Sequence, residues 1–185
     1  GGGGGGQGGG GEGGGGGGES GDVITLDFTD SVWKDEKITP YVSDNSTLET
    51  FEYDGMTYND AGCYASVYNE TYWLMMKNKW EDGKVEEGES MAFIGNAEEY
   101  SSTIKSIEIT TSTQGGAVDF YVAFADSPFE AGVREGKKTS VSASTEKKFT
   151  VTASGDAKYF AITAAKDVGQ YRKNGGIAKV VITLN

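Results

Sequence analysis

The side chains best suited to chemistry in this sequence are aromatic residues that lie among hydrogen-bonding neighbours. Aromatic faces stack on the C–H surfaces of sugar rings, and adjacent polar groups fix the orientation of the ligand. The sequence predicts Trp80 and Tyr171 as the aromatic platform, with Trp33 as a further stacking residue. The hydrogen-bonding groups beside Tyr171 are Gln170, Arg172 and Asn174. This set predicts a site that recognises the hydroxyl groups of a glycan.

The usual catalytic residues are sparse in this chain. The 185 residues include no histidine, which removes the commonest general base, a frequent zinc ligand and the Ser-His-Asp triad. The single cysteine, Cys63, cannot form an internal disulfide and is expected as a buried thiol in a strand. With 28 acidic residues, no carboxylate pair stands out as a glycosidase pair. We therefore expect a protein without enzymatic activity and without a catalytic residue.

The net charge of −12 limits the partners of the protein. A surface of this sign repels nucleic-acid phosphates and anionic membranes, so neither is expected as a partner. No apolar run reaches the roughly 18 residues of a membrane-spanning helix, so direct insertion of the folded domain is not expected. No cofactor is expected, but a structural calcium ion is compatible with this charge. Asp27, Asp30 and Asp156 are conceivable ligands, and the metal site is otherwise unknown.

The composition predicts that strands position these residues. There are 39 β-branched residues (17 Thr, 13 Val and 9 Ile) against 4 Leu, a balance typical of half-buried pleated surfaces. Alternation of apolar and polar residues predicts nine or ten strands and hence an all-β, antiparallel two-sheet β-sandwich. The predicted strands are 23–29, 48–58 broken at Asp54-Gly55, 63–68, 71–77, 91–94, 103–113, 117–125, 147–153, 159–164 and 177–184.

The remaining segments divide into a linker and connections. Residues 1–21 include 17 glycines and are predicted to form a flexible, disordered linker, whereas residues 22–185 form one sandwich domain. Residues 96–101 are predicted to form a helical turn. The long connections 30–47, 78–90, 127–138 and 166–176 are expected to carry function, because loops on rigid sandwiches often do. The core is predicted to contain Phe28, Phe120, Val122, Phe124, Phe160, Ile162, Val180 and Ile182.

Five segments of residues 22–185 resemble a known family. They are 72–78 (YWLMMKN), 93–96 (FIGN), 104–110 (IKSIEIT), 159–163 (YFAIT) and 176–183 (GIAKVVIT). Together they resemble the jelly-roll β-sandwich modules of secreted and surface lipoproteins of gut Bacteroidota. Those modules are similar to galactose-binding-like domains and carbohydrate-binding modules. Members often follow a lipidated cysteine and a low-complexity linker, which is consistent with the glycine-rich segment.

The resemblance implies an extracellular or cell-surface location, with an outer-membrane lipid anchor. It also implies a non-catalytic carbohydrate-binding module tethered by a flexible linker. The alternative is a structural or adhesion domain that binds proteins in a surface assembly. The partner is therefore expected to be a glycan or a cell-surface protein, and the module is expected to be a monomer.

Overall fold

A computed structural model describes residues 22–33, 38, 45–78 and 83–185. These residues form an all-β, antiparallel two-sheet sandwich, which confirms the predicted fold class. The predicted linker 1–21 lies outside the described residues. Within the described ranges, no helix has the length and apolar character of a membrane span. The strands are β1 Val23–Asp27, β2 Glu49–Tyr53, β3 Met56–Ala61, β4 Cys63–Tyr68, β5 Thr71–Met76, β6 Ala92–Asn96, β7 Ile104–Thr111, β8 Val118–Ala125, β9 Lys137–Val141, β10 Lys148–Thr152, β11 Tyr159–Ala165 and β12 Gly175–Leu184.

The strands divide into two sheets whose order mixes distant parts of the chain. Sheet A has the order β10-β7-β12-β5-β4, and β1 also pairs with β12. Sheet B has the order β2-β3-β6-β11-β8-β9. The connections β6–β7, β7–β8, β9–β10, β10–β11 and β11–β12 all cross from one sheet to the other, as in a jelly roll. Strands β10 and β9 are edge strands, and they lie on the same side of the sandwich because residues of both line one cavity.

Two tight turns join neighbouring strands, and the one at Asp54-Gly55 was predicted from its turn residues and is confirmed. Asp54 and Gly55 have φ angles of 51° and 76° and join β2 to β3. Asn69 and Glu70 have φ angles of 46° and 61° and join β4 to β5. Two consecutive left-handed residues match the right-handed twist of the flanking strands. These turns set the register of the hairpins.

The core lies between the sheets and contains the predicted residues. Seven of the eight predicted core residues are at most 1% exposed: Phe28, Phe120, Val122, Phe160, Ile162, Val180 and Ile182. Phe124 is only partly buried and lies at the margin of the core. Cys63 is buried in β4, as predicted. The alternation along β8, β11 and β12 therefore identified the buried face of each strand.

Two predictions on local structure are wrong. Residues 137–141 form β9, although no strand was predicted there and residues 127–138 were assigned to a connection. Only Val141 of β9 is buried, because an edge strand covers little of the core, so its sequence lacks the apolar alternation of the other strands. Residues 96–101 do not form a helical turn, since Asn96 ends β6. The Asn96 amide donates to the carbonyls of Glu98 and Lys158 and accepts the Phe160 N–H, which holds the chain against β11.

Candidate functional site

Two of the long connections that were predicted to carry function meet at one end of the sandwich. Residues 83–85 run antiparallel to residues 170–172, with Lys84 opposite Tyr171. The Val85 N–H donates to the Gln170 carbonyl at 2.9 Å, and the Arg172 N–H donates to the Gly83 carbonyl at 3.2 Å. These bonds hold the two connections together as a short ladder.

Asn78 connects this ladder to both sheets. Its Nδ2 donates to the carbonyls of Ala164 at 3.0 Å and Lys173 at 2.8 Å, and its Oδ1 accepts the Ala92 N–H at 3.0 Å. Its own backbone N–H donates to Asn174 Oδ1 at 3.0 Å. The predicted ligand-binding residue Asn174 therefore uses its side-chain carbonyl to hold the connection in place. Hydrogen bonding of Asn174 to a ligand stays a prediction.

The ladder places Tyr171 and Arg172 on opposite faces. Lys84 and Tyr171 are a non-hydrogen-bonded pair, so their side chains share one face while Gln170 and Arg172 start toward the other. Tyr171 is 57% exposed, and Lys84 Nζ lies 5.6 Å from its ring centroid. The Arg172 side chain is only 9% exposed. The structure thus brings the predicted residues into one segment without making them one continuous surface.

Arg172 lies in the wall of a polar cavity and is paired with Glu89. Its guanidinium contacts Glu89 Oε1, while Glu89 Oε2 accepts the Glu86 N–H at 2.9 Å. The Glu89 side chain is 24% exposed, so the pair is largely shielded from water. The cavity measures about 230 Å³ and is lined by Asn45, Ser46, Asn78, Gly88, Glu89, Ser90, Met91 and Arg172. We refer to it as the loop-end cavity.

Asn45 adds a buried amide to the loop-end cavity. Its Nδ2 donates to the Lys77 carbonyl at 3.1 Å. Its Oδ1 is buried and has no hydrogen-bond partner among the residues that the structure describes. This oxygen lies against Gly62 and leaves no room for a side chain at that position. The Asn45 side chain therefore packs the wall of the cavity against Gly62 and the Lys77 carbonyl.

The prediction that Trp33 stacks on a sugar is wrong, because Trp33 is a core residue. Its side chain is 1% exposed, and its ring lies 4.8 Å from Phe28 and 4.7 Å from Tyr53, centroid to centroid. Its indole N–H donates to the Asp27 carbonyl at 2.6 Å. A ring enclosed in this way cannot stack on an external sugar. Trp80 lies outside the described residues, and its binding role stays a prediction. Gln170 and Tyr171 are both exposed, and their binding roles stay predictions as well.

The residues considered for calcium do not come together as a site. Asp27 Oδ1 accepts the Thr29 N–H and hydroxyl, and Asp30 Oδ1 accepts the Val32 N–H, so both stabilise the turn after β1. In the described part of the chain, no group of three or more cysteine and acidic side chains is arranged to hold a metal ion. Asp156 lies elsewhere, in the connection between β10 and β11.

Asp60 is a buried acid near the same end of the molecule. It is 1% exposed, it accepts the Cys63 backbone N–H, and its Oδ2 has no partner among the described residues. Burial raises the pKa of Asp60 to about 7, and the negative charge of Glu49, opposite it on β2, contributes in the same direction. The hydrogen bond from Cys63 acts against this rise in the pKa. The carboxyl therefore loses its proton in the folded state only near neutral pH.

This raised pKa predicts a pH-dependent stability. The folded state binds the Asp60 proton more tightly than the unfolded chain, so the free energy of unfolding falls as pH rises from about 4 to 7. Asp60→Asn removes the buried charge but adds an unpaired N–H₂. It is therefore expected to stabilise the protein by only about 1–2 kcal/mol at pH 8, with little gain at pH 4. Urea unfolding at both pH values tests this, with the exposed Glu146→Gln as control. Equal pH dependence in wild type and Asp60→Asn would contradict it.

Comparisons with known proteins show similarity to a solved structure but to no family model. No protein-family model matches the sequence, and no curated protein matches it. Among solved structures, the chain is similar to the CBM36-1 domain of a multidomain xylanase from the hindgut metagenome of Trinervitermes trinervoides, at 12% identity and a TM-score of 0.38. The match covers 75% of this chain and 97% of that domain. Likeness at this level carries no functional information, so function has to be inferred from the side chains. Origin in a Bacteroidota lipoprotein stays a prediction.

Proposed function

We propose that this protein is a non-catalytic carbohydrate-binding module and that the loop-end cavity contacts the sugar. The observation that carries this proposal is the shielded Arg172–Glu89 pair in the wall of a polar cavity. A guanidinium offers several N–H donors beside a carboxylate that accepts, and vicinal sugar hydroxyls both accept and donate. The cavity of about 230 Å³ is smaller than drug-sized sites of roughly 300–1,000 Å³ and suits one sugar ring.

The pairing of charges in the cavity favours a neutral sugar. Arg172 is already balanced by Glu89, so an anionic ligand gains no free positive charge there. A net charge of −12 disfavours anionic ligands further. Binding should therefore depend on hydrogen bonds more than on long-range attraction, and it should change little with salt.

The same lining supports binding without hydrolysis. Glycosidases use two carboxylates that flank the scissile bond. Among the described residues that line the cavity, Glu89 is the single acid, and it is held by Arg172 and the Glu86 N–H. We propose that the module holds a glycan without cleaving it. Prolonged incubation should release no reducing ends from any polysaccharide that is bound, and their release would identify a hydrolase.

The proposal includes an extracellular, surface-tethered setting for a monomeric module. Support comes from the glycine-rich composition of residues 1–21, which suits a flexible tether, and from the sequence resemblance to surface lipoproteins. A carbohydrate-binding domain on such a tether can search a wide volume around its anchor. Fractionation of the native cell with an antibody against residues 22–185 tests the location, and a purely cytoplasmic signal would contradict it.

Affinity electrophoresis with matched charge variants tests the binding site. Native gels would contain arabinoxylan, barley β-glucan, galactomannan or polygalacturonate. We expect at least one neutral polysaccharide to retard the wild type. Arg172→Gln and Glu89→Gln should weaken that binding about ten- to a hundredfold, since hydrogen bonds to charged groups contribute roughly 1.5–3 kcal/mol. Lys173→Gln is the control, because it removes the same charge from the exposed neighbour.

The outcomes separate the proposal from the alternative of a structural or adhesion domain. Thermal unfolding followed by circular dichroism would establish that each variant is folded at the gel temperature. If no polysaccharide retards the wild type, carbohydrate binding is wrong and the adhesion domain is favoured. If both cavity variants fold and bind as the wild type does, the ligand does not use the Arg172–Glu89 pair.

A further inference from the structure

A groove runs along the side of the sandwich where both sheets end in a free edge strand. Its main part measures about 590 Å³ and lies between β8 and β9 of sheet B and β10 of sheet A. A second cavity of about 320 Å³ shares Phe124 and Ser154 with it and extends it toward Asp126 and Asp156. We refer to the two together as the side groove. It lies outside the loop-end cavity and shares no lining residue with it.

The side groove is open because β9 is shorter than β8. The first residue of β9, Lys137, pairs with Val122, so β8 continues for three residues without β9 beside it. Gly136 has a φ of +90°, and a Cβ there would lie 2.1 Å from the Val122 carbonyl oxygen. Only glycine fits this approach, which turns the chain away from β8. Phe124 is left half-buried at the base of the groove.

Backbone N–H and C=O groups of β10 and of the end of β8 point toward the opening of the side groove. The bonds from Ala153 N–H to Lys105 and from Thr111 N–H to Lys147 fix the ladder between β10 and β7, so Thr150 and Thr152 direct their N–H and C=O groups away from β7. On β8, the partner of Phe124 is Phe160, whose N–H donates to Asn96 on β6. Phe124 therefore directs its backbone groups away from β11, toward the open side.

Exposed polar residues border an apolar base. Val122, Phe124 and Val151 supply the base, and Ser154, Glu135 and Lys137 are exposed around it. Thr150 and Thr152 line the groove from β10, where they alternate with buried Val151. In the described part of the chain, Glu135 and Lys137 make no ion pair. An aromatic ring with hydroxyls and backbone donors along an open groove suits successive sugar rings of a chain.

The charges at the edges favour a glycan over an added β-strand. Lys137 faces the same side of sheet B as buried Val122, and Lys148 is exposed on β10. Lysines on edge strands, above all inward-facing ones, oppose pairing with another strand. Glu135, Asp126 and Asp156 outnumber Lys137 along the groove and oppose a uronic-acid chain.

We propose that the side groove binds an extended, neutral polysaccharide chain through internal sugar units. The inference deepens the proposed function, since it rests on the ligand being a glycan, and it assigns a second contact surface to the protein. The loop-end cavity takes one ring, whereas the side groove follows several consecutive rings. A long chain that contacts both surfaces binds more tightly than a short one, because the second contact is intramolecular.

A double variant of polar side chains that line the side groove tests it. Lys137→Gln and Ser154→Ala together remove an ammonium group and a hydroxyl from the groove, and Thr25→Val removes a hydroxyl from the exposed face of β1 as control. Calorimetry would use xylohexaose, cellohexaose, mannohexaose and hexagalacturonate as probes. We expect the double variant to bind at least one neutral hexasaccharide about fivefold or more weakly than the wild type. Thr25→Val should bind as the wild type does, and hexagalacturonate should not bind.

The outcomes distinguish failure of the side groove from failure of the loop-end cavity. If the folded double variant binds every neutral hexasaccharide as the wild type does while Arg172→Gln does not, the side-groove proposal is overturned and the proposed function stands. If the double variant weakens binding while Arg172→Gln has no effect, the groove is supported and the loop-end cavity fails. Tighter binding of hexagalacturonate than of any neutral probe overturns the assignment of a neutral chain. If no probe binds the wild type, the glycan premise fails for both sites.

Discussion

Replacing Phe120 with alanine is expected to lower the free energy of unfolding by about 3–5 kcal/mol, by lost burial plus the cavity that remains. Phe120 lies in the middle of β8, is 1% exposed, and its ring centroid lies 6.2 Å from that of Phe149 on β10. This contact joins sheet B to sheet A, so its loss should also loosen the sandwich beside the side groove. Equilibrium urea unfolding followed by tryptophan fluorescence measures the change.

A matched surface change shows whether the effect comes from burial. Tyr68 is 60% exposed at the end of β4, and Tyr68→Ala is expected to change the free energy of unfolding by less than about 1 kcal/mol. A similarly small change for Phe120→Ala would mean that the face of β8 toward the core has been assigned incorrectly.

Asn78→Ala is expected to have an effect of similar size by a different mechanism. The substitution leaves the Ala164 and Lys173 carbonyls and the Ala92 N–H without their side-chain partner. Three unpaired buried groups at about 1–3 kcal/mol each are expected to cost at least about 3 kcal/mol. Binding should weaken as well, because Asn78 holds the two connections that carry Arg172 and Glu89.

The control for Asn78 is an exposed asparagine that also makes side-chain hydrogen bonds. Asn185 Nδ2 donates to Thr103 Oγ1 at 2.9 Å near the chain terminus, where water can replace the lost bond. Asn185→Ala should cost less than about 1 kcal/mol. If urea unfolding gives equal losses for both variants, the buried network does not hold this end of the sandwich.

The fold was predictable because its signals are local. Alternation along β8, β11 and β12 identified the core face, and the dipeptide Asp54-Gly55 identified the turn between β2 and β3. The edge strand β9 was missed because a strand with one buried residue has no such alternation. Its position depends on pairing with β8, which the sequence of β9 alone does not encode.

The candidate sites were predictable only in part because they depend on distant contacts. The sequence indicated the connections 78–90 and 166–176 as candidates, but it did not indicate that Asn78 joins them or that Glu89 pairs with Arg172. Trp33 lies in a polar connection after β1, a position typical of an exposed stacking residue. Its ring instead packs in the core beside Phe28. The side groove depends on the lengths of β8 and β9 and on the position of β10, so no single segment reveals it.

The most direct test of carbohydrate binding is a set of ¹⁵N–¹H correlation spectra, recorded with and without xylohexaose, cellohexaose and mannohexaose at millimolar concentration. We expect at least one of these neutral chains to shift backbone amides in two clusters. One cluster should surround Arg172, Glu89 and Ser90 at the loop-end cavity, and the other should follow Phe124, Thr150 and Thr152 in the side groove. Spectra unchanged by all three chains, or shifts confined to the outer face of sheet A, would contradict it.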